Sequence, residues 1–232
     1  MTVLETIDLA RNMLNEPLDA SRTFPDNSSN FYTDTVLLNY LNREQQLLQN
    51  FIIQSHENYF VTSVNVNIVS NTDEYALNSS VIKILRMEWI ADDPLRSTEI
   101  HPISFNEKEN YIGLSHGITG TGEIRAYAIK GDTLTFRPVP STTTASAVRY
   151  YFVKKLADLV SQSQVSEVPE NYHEILSWGI YKRALLQQEG SAESYAVASK
   201  EYESMVEEMM KQLDDRQIQR PRYVKRNRNR RN

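Results

Sequence analysis

Eight cations crowd the end of this chain: Arg216, Arg220, Arg222, Lys225, Arg226, Arg228, Arg230 and Arg231. All but one are arginine, whose planar guanidinium forks onto phosphate or carboxylate with two bonds at once. Tyr223 stands among them as a ring that can stack or anchor. Such a segment suits a negatively charged surface, either nucleic acid or an acidic groove on another protein. The plainer reading is a solvated, disordered tail that keeps the chain soluble.

The other constellations fall short of chemistry. His56-Glu57 begins like a zinc-protease helix, but Phe60 stands where the second histidine ligand belongs. His101 and His116 lack the close spacing of a metal site, and His173 stands alone. Gly117, Gly120 and Gly122 look like a phosphate loop, yet no Lys-Ser/Thr follows and the next element reads as a strand. Asp92-Asp93, Glu107 and Glu109 match no calcium loop. No nucleophile–base pattern is present. No residue is singled out as catalytic, and neither cofactor nor metal is expected.

The net charge of −5 hides a division. Residues 1–215 hold all 30 acidic residues and 17 of the 25 basic ones, a net of −13. Residues 216–232 are +8 and cannot bury a core, so disorder is expected there. With 232 residues, 40 % hydrophobic, the rest is long enough for one moderate domain. There is no cysteine, hence no disulfide and no thiolate chemistry. No apolar run approaches the roughly 18 residues of a membrane span, and the N-terminus lacks a basic leader. The expectation is a chain made in the cytoplasm, without a membrane.

The elements follow from periodicity. Leu4, Ile7, Arg11, Leu14 and Leu18 predict a helix over about 3–18, frayed by Pro17. A second helix over about 33–54 opens at Thr33-Asp34, with an apolar stripe of Leu37, Leu41, Leu48 and Phe51. A β-rich region spans about 59–153. Within it Tyr59 to Val69 alternates, and the near-continuous apolar content of Ser80 to Ile90 fits a strand buried on both faces, with a helix as the alternative. Residues 91–123 resist assignment. From Ile124 to Lys155 three strands are expected. Lys130, Gly131 and Asp132 make a tight turn between the first two, and Pro138-Val139-Pro140 ends the second. Helices over about 170–189 and 191–213 close the body. The last repeats Tyr195, Ser199, Tyr202, Val206, Met209 and Leu213 at steps of three and four, the pattern of a helix packed along its length. The expected class is α+β: a mainly helical bundle body over 1–215 with an inserted antiparallel β region, then a disordered basic arm over 216–232.

Taken in order, these pieces resemble the head-to-tail connector (adaptor) proteins of tailed bacteriophages. The residues that carry the likeness are Thr33-Asp34 through Leu41-Asn42, Tyr127 to Asp132, Arg137 to Pro140, Tyr150-Tyr151, and Val168 to His173. The likeness runs over roughly Val3 to Leu213. It implies a ring of subunits, usually twelve, below the portal protein, extending the channel for phage DNA and receiving the tail or nozzle protein. It implies a C-terminal arm that docks on the portal, and no catalysis. Lys130, Gly131 and Asp132, with Gly117, Gly120 and Gly122, become candidate contacts with neighbouring subunits or the tail. Two readings compete. One is a nucleic-acid-binding protein that uses the basic tail, and the other a tail-tube or stopper ring. An enzyme with its site in 91–123 is a third, with no motif in its favour.

Overall fold

A computed structural model describes residues 1–16, 24–25, 31–90, 97–107, 124–187 and 192–217. The chain is α+β and divides into two compact units. Residues 1–56 and 157–232 form one, and residues 57–156 form the other, inserted between its two halves.

The first unit holds α1 (Val3–Met13), α2 (Asp34–Ser55), α3 (His173–Gln187) and α4 (Ala192–Gln217). Thr2 caps α1 in a capping box with Glu5. The helix stops at Met13, five residues before the expected end. Asn15 takes the left-handed conformation (φ 56°), its N–H bonds Asn12 O, and the Glu16 N–H bonds Arg11 O. That is a Schellman stop, with asparagine in the place glycine usually takes. Leu18 lies outside the described residues. The buried face of α1 is Val3, Ile7, Ala10 and Arg11, turned away from Leu4 and Leu14.

Thr33 caps α2 by accepting from the Val36 N–H at 3.3 Å. The buried stripe of α2 runs Leu37, Leu41, Leu48 and Ile52, as expected apart from the half-buried Phe51. Sequence reasoning missed that Glu44, Gln45 and Gln49 lie on the same buried face. Gln45 and Asn42 hold the extended segment that enters α3: Gln45 Nε2 donates to Ala157 O, and Asn42 exchanges bonds with the Leu159 backbone. Tyr172, just before α3, and Ile175, Leu176, Gly179 and Ile180 on α3 form a face that is buried throughout. It packs against α1, α2 and α4. The α4 seam resolves into Ala198, Tyr202, Met209 and Leu213, buried within this one unit.

The second unit is two four-stranded sheets. One has the order β1 (Val61–Ile68), β8 (Thr144–Lys154), β3 (Val81–Trp89), β4 (Thr98–Glu99). The other runs β2 (Glu74–Ala76), β7 (Thr133–Arg137), β6 (Ala126–Lys130), β5 (His101–Pro102). Their inner faces share one apolar core that includes Met87, Trp89, Leu134, Phe136, Val148 and Phe152.

The three strands expected after Ile124 are present: β6 and β7 form the expected hairpin, and β8 joins the other sheet, so the Ser/Thr run crosses between layers. Two expectations need correction. The region is not wholly antiparallel, because β5 pairs with β6 in parallel. A parallel pair needs a long crossover, and residues 103–125 supply the length. Finally, β3 is buried only from Met87 on; Ile82, Lys83 and Arg86 are exposed. In its first half Val81 and Ile84 are half-buried against the core, and the strand also lines an open groove.

Candidate interaction surfaces

Lys130, Gly131 and Asp132 form the tip of the β6–β7 hairpin. Gly131 has φ +56°, with nothing within 4 Å of where a Cβ would stand, so the turn needs glycine for its backbone alone. Lys130 lays its ammonium 4.9 Å from the centre of the Phe105 ring. The Asp132 carbonyl accepts from the Leu77 N–H at 2.8 Å, fixing the tip to the segment after β2. Beneath the tip opens a groove of about 570 Å³. Its walls are mainly apolar, from Leu77, Val81, Ile84, Ile103, Phe105 and Ile129. Ile129 is 41 % exposed and neighbouring Ile82 47 %. The hairpin was legible as a turn; the groove was not. Its only sequence signal was apolar residues on a strand face that alternation assigns to the core.

Of the basic arm, Arg216 alone falls in a described element, the last turn of α4. Arg220, Arg222, Tyr223, Lys225, Arg226, Arg228, Arg230 and Arg231 lie outside the described residues, as do Gly117, Gly120 and Gly122. Nearby, His56 at the end of α2 turns its Nε2 to within 3.3 Å of Asp214 Oδ1 in α4.

Sequence reasoning missed two buried ionic clusters in the helical unit. In the first, the fully buried Arg11 donates from Nη2 to Asp34 Oδ1 at 2.7 Å and to the Tyr32 carbonyl at 2.8 Å. It also pairs with Glu16. The Tyr32 hydroxyl donates to Ala184 O. Burial, with Tyr40 and Glu16 nearby, pushes the Tyr32 pKa up to about 12. In the second, the fully buried Glu44 pairs with Arg183 Nε and accepts from the Tyr202 hydroxyl at 2.9 Å. The Tyr202 pKa is driven upward, by burial first and then by the Glu44 charge. Lys182 stands 3.6 Å over the Tyr202 ring. A charge buried this way persists only when its partners are in place, so Glu44 ties α2, α3 and α4 to one register.

These clusters join helices. His173, another buried group, donates from Nε2 to Val168 O at 2.7 Å, and its Nδ1 meets the Met1 amino group at 2.9 Å. Among the described residues no group of His, Asp and Glu could hold a metal ion. No described helix is long and apolar enough to cross a membrane.

The whole chain matches the family model of the SU10 adaptor protein over residues 1–230, and it belongs to that family of phage head–tail adaptors. The resemblance read from Thr33 to His173 is thereby borne out. No curated protein matches significantly.

Proposed function

We propose that this chain is a non-enzymatic virion protein that forms a ring below the portal, joins capsid to tail and continues the DNA channel. It docks on the portal through its C-terminal arm, in a host cytoplasm where head and tail are assembled. One observation carries the docking role. The 26-residue α4, anchored along its seam and by Glu44, runs unbroken into the start of the +8 segment. A rigid helix that delivers a basic arm suits capture of an acidic or backbone-lined groove, since arginine binds both. The −13 body suits a channel through which DNA slides, because phosphates are repelled from acidic walls. The tail or nozzle protein is the partner on the opposite side, with the hairpin tip at 130–132 as its candidate contact.

The test compares the full chain with a 1–217 truncation, which keeps α4 whole, in binding to the portal ring of the same phage. Duplex DNA at two salt concentrations runs in parallel. The expected outcome is portal binding weakened at least tenfold by the truncation, with an unchanged melting temperature. Tight DNA binding that falls steeply with salt, vanishes with the arm, and comes without portal binding would instead make the arm a nucleic-acid device. Portal binding unaffected by truncation would place docking elsewhere and favour a tail-tube or stopper ring.

A further inference from the structure

The two sheets of the inserted unit end in four edge strands, and three are blunted. β4 is two residues with Glu99 on it, β5 is two residues with Pro102, and β2 is three residues beginning at Glu74. Where β4 leaves the first half of β3 uncovered, two register breaks and the exposed Lys83 and Arg86 interrupt that edge. Shortness, charge, proline and bulges are the usual guards against unwanted strand pairing. The fourth edge, β1, has none of them from Val61 to Val66; its one register break comes after Val66. That stretch pairs only with β8 among the described strands. The Lys154 N–H bonds Phe60 O at 3.0 Å, and the register continues with Val61 opposite Val153 and Thr62 opposite Phe152. Bonded positions alternate along an antiparallel pair, so Thr62, Val64 and Val66 bond β8. The N–H and C=O groups of Val61, Ser63 and Asn65 point away from it. The side chains tell the same story. Thr62, Val64 and Val66 are only half-buried, while Phe152, Tyr150 and Val148 opposite them on β8 are buried.

We propose that in the free chain this edge pairs with the same edge of a second copy, antiparallel about a two-fold axis through Ser63. Because a two-fold contact closes a dimer and cannot repeat around a ring, the pairing belongs to the chain before assembly and stands apart from the ring reading. Register, pattern and charge all select a second copy as the occupant. With Ser63 opposite the partner's Ser63, Val61 lies opposite the partner's Asn65 and Asn65 opposite the partner's Val61. All three outward-facing residues are then bonded, and since each bonded pair exchanges two bonds the contact holds about six. A slip of two residues either way loses one bonded pair. In the same register Thr62 stands opposite the partner's Val64, so each copy extends the row of half-buried side chains on the core face of the other. Residues 58–72 carry no charge, so no like charges meet across the pair. The nearest charge, Glu57, falls beyond the strand, opposite the partner's Val69.

The test is sedimentation velocity on the full-length chain over a range of concentrations, with a reversible dimer as the expected result. Ser63→Lys and Ser63→Glu each set like charges opposite one another on the exposed face. Each should weaken the dimer about tenfold or more while leaving the melting temperature of the chain within a few degrees. Mixed in equal amounts, the two variants should form a dimer again, a rescue that a folding defect would not give. The chain has no cysteine, so single cysteines report the register. On oxidation Ser63→Cys chains should link to one another, and Val61→Cys chains should link to Asn65→Cys chains and not among themselves. A chain that stays monomeric overturns the proposal. So does a dimer that both charged variants leave intact, or one that links in another pattern. A monomer whose β1 amides gain protection from hydrogen exchange only when the portal is added gives the edge to another protein and overturns it too. None of these outcomes touches the ring reading, which is decided by portal binding.

Discussion

Gly179 lies in the middle of α3, where alanine would ordinarily be the more stabilising residue by about 1 kcal/mol. Here the sign reverses. A methyl group on Gly179 would come 2.5 Å from Glu44 Cγ and 2.7 Å from its Cδ. Glu44 cannot swing aside, because Arg183 and Tyr202 hold its two oxygens and burial denies it water. Gly179→Ala should therefore destabilise the helical unit by about 1–3 kcal/mol, read as a lower midpoint in denaturant. Glu44→Ala should cost more, about 3–5 kcal/mol, since it leaves the Arg183 charge without its partner. Two buried tyrosines of the helical unit, Tyr32 and Tyr202, set an alkaline limit. A pKa of about 12 for Tyr32 stands above the ordinary value near 10, so the native state holds that proton more tightly than the unfolded chain. Its stabilising effect is whole below pH 10 and is lost as pH rises toward 12. Tyr202 acts in the same direction. Helical signal followed by circular dichroism should stay flat to about pH 10 and then fall. A Tyr32→Phe chain should lose less over the same interval.

At the scale of the element, the hairpin and α4 behave differently. The β6–β7 tip depends on one left-handed residue with open space around it. Gly131→Val should destabilise the inserted unit by about 1–2 kcal/mol through backbone strain alone, without disturbing the core. If folded Gly131→Val chains still support tail attachment, the tip is a structural turn only; loss of attachment by folded chains would make it a contact surface. For α4 the seam Ala198, Tyr202, Met209 and Leu213 is spent on its own unit.

For the whole molecule, the division into a helical unit and an inserted two-sheet unit places different tasks on different parts. The arm leaves from the helical unit, while the groove, the hairpin tip and the open edge of β1 belong to the sheets. Removing residues 218–232 should therefore change docking and leave both units folded.

Much was written in the sequence because it is local. Helix periodicity placed α2, α3 and α4. Thr33 announced a cap and Lys130-Gly131-Asp132 announced a turn. The fixed order of these short pieces was also enough to reveal the adaptor family. What the tertiary structure decided depends on partners far apart in the chain. Strand alternation gives the face of a residue and not the sheet it joins, so the transfer of β8 away from the β6–β7 hairpin and the parallel β5–β6 pair were invisible. Apolar content gives a preference for burial and not its fulfilment, so the first half of β3 looked like core and became a groove wall. Polar residues on a helix read as solvated until their counterparts are known. Glu44 becomes buried only because Arg183 and Tyr202, well over a hundred residues later, arrive to satisfy it.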